Sequence, residues 1–289
     1  MKITANLPNL NYLNKKIIWI IGLERSGTTV LGNLLGSCKD VEYLYEPDTL
    51  YPILYLKNKI SHDKWKMLFE CYFYNDLLRN RINNRQINLN KTDDSYYFNY
   101  KNKLEQNKKI FDIFKKNKII PRSKIIIKVP GLIDEIVNLK KLYKNFQFII
   151  IERTSSEIVN SIIKKAWFKK NYDNRHFPYI KKGTKLYPFW LNKKYYKIWN
   201  TFNEYEKAAF YVIEYKKKIS KLKNLYNVKY DQLTDNPKIV FKDISKKFNL
   251  SPTHKTISLI KKIKKRKKTI LSLKKKLRKE IYNKLNQLS

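Results

Sequence analysis

The stretch Ile17-Ile18-Trp19-Ile20-Ile21-Gly22-Leu23-Glu24-Arg25-Ser26-Gly27-Thr28-Thr29 decides how this chain folds. An apolar run reads as a buried strand and ends at Gly22. A short loop follows, then a helix-like segment from Val30 to Ser37. Strand, glycine loop and helix in that order make a phosphate cradle, because backbone N–H groups at a helix N-terminus point at an anion. The chain holds 6 Gly, and Gly22, Gly27, Gly32 and Gly36 all fall in this region. The expectation is that glycine sits here because the backbone turns tightly and approaches a ligand closely.

The loop has the spacing of a nucleotide P-loop without its chemistry. A P-loop places Lys after its second glycine, where it reaches the β- and γ-phosphates. Here Thr28 takes that place, and the cation comes earlier, at Arg25. Losing the triphosphate Lys while keeping the amide cradle suits a donor with one phosphate at this end. A guanidinium fork binds such an oxyanion in bidentate fashion.

Outward from the loop, strands and helices alternate, which implies an α/β fold with a parallel sheet. Strands are expected at Ile17–Ile21, Val41–Tyr45, Ile125–Ile127, Gln147–Ile151 and, more weakly, Leu225–Tyr230. Val41–Tyr45 alternates apolar and polar residues. Two stretches break the alternation. Residues 51–122 are helix-like and rich in aromatic and basic residues. Residues 167–200 are an aromatic-rich loop insertion, with Trp167, Phe168, Tyr172, Phe177, Tyr179, Tyr187, Phe189, Trp190, Tyr195, Tyr196 and Trp199 among the breakers Pro178, Gly183 and Pro188. Long insertions on an α/β sheet line clefts and set specificity. From Thr269, Leu273, Leu277, Ile281, Leu285 and Leu288 fall at helical spacing among Lys and Arg, which reads as a basic C-terminal helix over 269–289. It packs on its own domain, lies on a membrane surface or binds a partner. No repeat or linker demands a second domain, so residues 1–289 read as one.

Composition narrows the class. An apolar content of 43% excludes a wholly disordered chain. Cys38 and Cys71 make neither a disulfide framework nor a zinc pattern, so a reducing cytoplasm is the default. The run Ile17–Ile21 is too short to span a membrane, and no cleavage site follows it. The net charge of +39 has two readings. One is a polyanionic partner. The other is the bias of an AT-rich genome, since Asn, Ile and Tyr are also abundant and the Lys are scattered.

Three further clusters carry chemistry. In Ile151-Glu152-Arg153-Thr154-Ser155-Ser156-Glu157 a strand ends, Arg153 projects from its edge and a helix begins. Thr154 and Glu157 have capping-box spacing. Arg153 and Ser161 can both face an anion at the carboxyl end of the strand, where open α/β sheets bind ligands. Tyr45-Glu46-Pro47 places a carboxylate at the end of the second strand. Lys128 ends the third. His62, His176 and His254 are the only histidines; none has partners at metal or triad spacing, and His176 is the fallback base.

In order, these segments resemble the PAPS-dependent sulfotransferases, PAPS being 3′-phosphoadenosine 5′-phosphosulfate. Arg25-Ser26-Gly27-Thr28-Thr29 looks most like the 5′-phosphosulfate loop of the carbohydrate branch. The resemblance implies a P-loop-like three-layer α/β/α fold with a central parallel sheet and helical insertions. It assigns Arg25, Ser26, Gly27, Thr28 and Thr29 to the 5′ end of PAPS, and Arg153 and Ser161 to its 3′-phosphate. The family often has Asp-Pro after that Arg; here Thr154-Ser155 stands instead. Tyr230-Asp231-Gln232-Leu233 with Asn236-Pro237 resembles the family's Tyr-Glu-Asp-Leu…Asn-Pro element and adds Tyr230 to the donor set. Glu46 matches the Glu proposed there as general base, and Lys128 stands where a Lys neutralises charge on the transferring sulfuryl group. The acceptor is expected to be a hydroxyl, of a carbohydrate or glycolipid, with no metal. The likeness runs from residue 17 to residue 250 and leaves both insertions uncovered.

Two other functions stay open at this point. One is an ATP-dependent kinase with a degenerate P-loop, against which the missing Lys counts. The other is a basic nucleic-acid-binding protein, whose aromatic residues would stack on bases but which leaves the loop unexplained.

Overall fold

A computed structural model of the chain describes residues 14–78, 91–92, 94, 96–101, 124–169, 179–222, 225–263 and 272–288. His176, Tyr172, Phe177 and Pro178 lie outside the described residues, as do parts of both insertions. In chain order the main elements are β1 (Ile17–Gly22), α1 (Thr28–Gly36), β2 (Val41–Tyr45), α2 (Leu50–Tyr55), α3 (His62–Glu70), β3 (Lys124–Lys128), α4 (Ile133–Leu142), β4 (Gln147–Glu152) and α5 (Ser155–Lys164). There follow β5 (Tyr179–Lys182), β6 (Lys185–Pro188), α6 (Tyr196–Trp199), α7 (Glu204–Ile219), β7 (Tyr226–Lys229), α8 (Tyr230–Asp235), α9 (Pro237–Phe248), α10 (His254–Lys262) and α11 (Lys279–Gln287). The described residues fall into two compact units. A sheet unit draws on residues 1–22, 27–152 and 224–265, and a helical unit on 23–26, 153–223 and 266–289.

The sheet unit is built on five parallel strands in the order β2-β3-β1-β4-β7. All five expected strands are present. A parallel sheet covered on both faces reads as continuous apolar runs rather than alternation, and β1 is buried throughout. Ile18, Ile20, Ile149 and Ile151 pack toward α1 and α9, against Leu31, Leu35, Ile244 and Phe248. Trp19 points the other way and stacks on Phe73 with ring centroids 5.4 Å apart. The stack continues through Phe69, 5.1 Å from Phe73, to Trp65, 5.3 Å further on. The aromatic residues early in the 51–122 insertion therefore cover one face of the sheet. They are core rather than a binding surface.

The alternation in β2 misleads, because that strand is covered on both sides and Glu42 is only 1% exposed. Lys101, itself buried, donates to the Val41 carbonyl at 2.6 Å and helps cover the sheet edge.

In the helical unit, α7 packs on both α5 and α11. Its N-terminus carries a full capping box from Asn203 and Glu206. The insertion at 167–200 is not simply loop. Tyr179–Lys182 and Lys185–Pro188 pair as an antiparallel hairpin across Gly183-Thr184, with Gly183 at φ +60°. The C-terminal helix is shorter than its periodicity implies. A single 3₁₀ turn, Leu273–Lys275, precedes α11. The interruption coincides with Arg278, whose backbone N–H and guanidinium both bond the Glu206 carboxylate. Leu273, Leu277, Ile281 and Leu285 are buried, so the apolar stripe serves packing. Among the described residues no helix is long and apolar enough to cross a membrane.

Candidate donor-binding and transfer site

In the sheet unit, β1 ends at Gly22 and α1 begins after Gly27, at φ +105°. A helix leaves its first backbone N–H groups without intrahelical partners. Here neither a capping side chain nor a first-turn acid answers them. Thr28 and Thr29 open that turn. A Cβ on Gly27 would meet the Tyr230 ring at 2.3 Å, so only glycine fits beneath that ring. Tyr230, at the start of α8, thus forms a lid on the glycine.

The other two glycines of the run have a different purpose. A Cβ on Gly32 would stand 2.1 Å from the Tyr43 hydroxyl, and one on Gly36 2.7 Å from the Tyr43 Cβ. They let α1 lie flat on Tyr43 of β2. This corrects the expectation that the whole glycine run faces a ligand.

Glu46 and Lys128 meet at the ends of β2 and β3. The strands are in register there, Tyr45 opposite Lys128. The Lys128 ammonium donates to Glu46 Oε1 and lies 3.9 Å from the centre of the Tyr45 ring. Lys128 is 2% exposed, while the Glu46 side chain is 31% exposed and open to a reactant. The Glu46 N–H bonds the Lys128 carbonyl at 3.0 Å. Glu46 also sits at φ +38°, a left-handed conformation that costs a non-glycine residue about 1–3 kcal/mol and gathers at functional sites.

In the helical unit, Arg25 is likewise left-handed, at φ +69°. Its Nε donates to Ser161 Oγ at 3.0 Å. Arg153 Nη1 donates to the Arg25 carbonyl at 3.1 Å, and Arg153 Nε to Glu157 at 3.2 Å. Arg25 thus meets Arg153 and Ser161, more than a hundred residues on, in one cluster holding two guanidinium groups. The expected capping box is not complete. Thr154 is the N-cap of α5, but its side chain makes no cap bond, and Glu157 turns to Arg153. A charge-assisted bond to a guanidinium is stronger than one to a backbone amide. Ser26 is wholly buried, and its hydroxyl has no hydrogen-bond partner among the described residues.

Two residues of this cluster escape the sequence reading. Glu24 accepts a hydrogen bond from the Tyr211 hydroxyl of α7. Burial, and then the Glu24 charge, hold that phenol far above its ordinary range, so it stays a donor. Glu24 stands beside Arg25, but nothing in the helical sequence of α7 marks Tyr211.

Residues 18–254 match the model of the Sulfotransferase family, and the chain belongs to that family. No curated protein is similar enough to match. Among solved structures, the sulfotransferase domain of the curacin biosynthetic pathway is 15% identical, with 98% of each chain covered and a TM-score of 0.48. The sulfotransferase domain of the Synechococcus PCC 7002 olefin synthase is also 15% identical, covering 100% of this chain and 96% of that one, with a TM-score of 0.49. A sulfotransferase from Mycobacterium tuberculosis H37Rv is 13% identical over 96% of this chain and 78% of its own, with a TM-score of 0.46.

Proposed function

We propose that the chain acts as one sulfotransferase domain and moves a sulfuryl group from PAPS to a hydroxyl of a carbohydrate or glycolipid. The observation that carries this reading is the loop itself. It combines an uncapped helix start, a glycine with no room for a Cβ, a buried hydroxyl awaiting a partner and an adjacent guanidinium. The bare amides, the buried hydroxyl and the guanidinium are groups that an oxyanion at that position would satisfy.

Arg25, Ser26 and the amides of Gly27, Thr28 and Thr29 hold the 5′-phosphosulfate. Arg153 and Ser161 hold the 3′-phosphate, and Tyr230 keeps the loop closed from above. Binding one donor at two anionic ends fixes its sulfur for attack. Glu46 takes the proton of the acceptor hydroxyl as that oxygen bonds to sulfur. The bond from sulfur to the bridging oxygen breaks, and its electron pair leaves with the nucleotide product PAP. Lys128 orients the Glu46 carboxylate and offsets charge on the transferring group.

The test is transfer of radiolabelled sulfate from PAPS to a panel of glycans. Label should appear in a glycan product, and Glu46→Gln should suppress it. Label that stays in PAPS with every acceptor, or a Glu46→Gln chain as fast as the wild type, would overturn the assignment.

A further inference from the structure

The helical unit contains a second feature that the donor site does not use. A cavity of about 820 Å³ lies among Trp167, Phe168, Trp199, Phe202, Asn200 and Lys207. That volume falls within the range of small-molecule sites, about 300–1,000 Å³. None of the residues assigned to donor or proton transfer lines it.

The walls are built rather than accidental. Ala166, at φ +55°, turns the chain just before Trp167. Phe168 meets Trp199 edge to face at 5.6 Å, which fixes both rings. Lys207 projects from α7 with its ammonium 5.6 Å from the centre of the Trp199 ring. Burial holds that ammonium below its ordinary range. Asn200 donates to the Tyr187 hydroxyl at 2.9 Å, which orients its amide. Broad apolar ring faces beside an amide, an ammonium and the carboxylate of Glu204 match a molecule that is apolar on one face and hydroxylated at its edge. A purely apolar ligand would strand the polar groups. A polyanion would meet Glu204.

The cavity wall is also tied to the phosphate loop inside the same unit. Phe168 packs 6.4 Å from Tyr211, and Trp190 4.8 Å from it. Tyr211 in turn bonds Glu24, the neighbour of Arg25. One buried tyrosine thus touches the wall of the cavity and the loop that would carry the donor.

From these contacts we infer that the cavity takes the sugar ring of an oligosaccharide. This rests on the sulfotransferase reading above. That ring stacks on the aromatic wall, and its hydroxyls bond Asn200, Glu204 and Lys207.

The test is a titration of the full chain, without PAPS, with cellohexaose and chitohexaose in turn, followed by tryptophan fluorescence. PAP affinity is measured alongside by calorimetry. At least one glycan should give a saturable change, and Phe168→Ala and Lys207→Met should each weaken it about tenfold. PAP affinity should not move in either variant. Lys207→Met keeps the test sound if Phe168→Ala fails to fold. Should neither glycan bind while PAP binds, the cavity inference falls and the donor reading stands. Glycan binding indifferent to both variants also overturns it. A chain that binds a glycan through these residues but not PAP keeps the sugar site and loses the donor reading.

Discussion

The two units hold the residues of the proposed site in different ways. The sheet unit uses backbone and a preset ion pair: bare amides at the start of α1, a glycine under Tyr230, and Glu46 locked to Lys128. The helical unit uses long side chains, Arg25 and Arg153, held by a serine, a carbonyl and a carboxylate. Backbone sites tolerate no added atom but need no particular side chain. Side-chain sites lose strength by degrees as each group is removed. Both units place a non-glycine residue in the left-handed region at the assigned position, Glu46 in one and Arg25 in the other. Strain of that kind persists only where surrounding contacts enforce it.

The largest effect should come from the sheet unit's ion pair. Glu46→Gln should lower kcat by about 10²–10⁴-fold, the usual contribution of a positioned base, with PAP affinity unchanged in calorimetry. An equal loss of PAP affinity would move Glu46 from proton transfer to donor binding and blur the contrast between the units.

Gly27→Ala should come next. The new Cβ collides with Tyr230 at a positive φ, and a loop displaced by about an ångström costs on the order of 10²-fold in PAPS turnover. Arg153→Ala should be milder, weakening PAP by about 10- to 100-fold, the worth of a hydrogen bond to a charged group. If Arg153→Ala proves worse than Gly27→Ala, side chains and not backbone dominate donor binding.

Gly36→Ala separates structural glycine from ligand glycine. Overpacking against Tyr43 should lower thermal stability by about 1–3 kcal/mol, while the folded fraction binds PAP normally.

The smallest effect concerns thiol chemistry. Burial pushes the Cys38 thiol up to about 12, so its thiolate is scarce at pH 8 and grows only as pH approaches that value. Maleimide at pH 8 should modify the exposed Cys71 alone, and Cys38 only after denaturation, as mass spectrometry of the digest would show.

The sheet was legible because each strand is an apolar run with its own stop. Gly22 closes β1, and charged residues close β3 and β4. The loop was legible because its residues are consecutive. What could not be read were meetings across long separations. Glu46 joins Lys128 only because β2 and β3 pair in register, and Glu24 joins Tyr211 only because α7 returns to the loop. Local patterns also misled where a stronger partner was near. Glu157 pairs with Arg153 while the Thr154 side chain makes no cap bond, and Gly32 and Gly36 answer to Tyr43. The hairpin was hidden because Tyr179–Lys182 and Lys185–Pro188 are short and strongly basic at the turn.

Whether the loop and the two arginines bind one donor is decided by calorimetric titration of the purified chain with PAP, without metal, at moderate salt. Binding should be 1:1, weaken in Arg25→Ala and weaken again when Arg153→Ala is added. No binding by the wild-type chain, or affinity that ignores both substitutions, would contradict the donor reading.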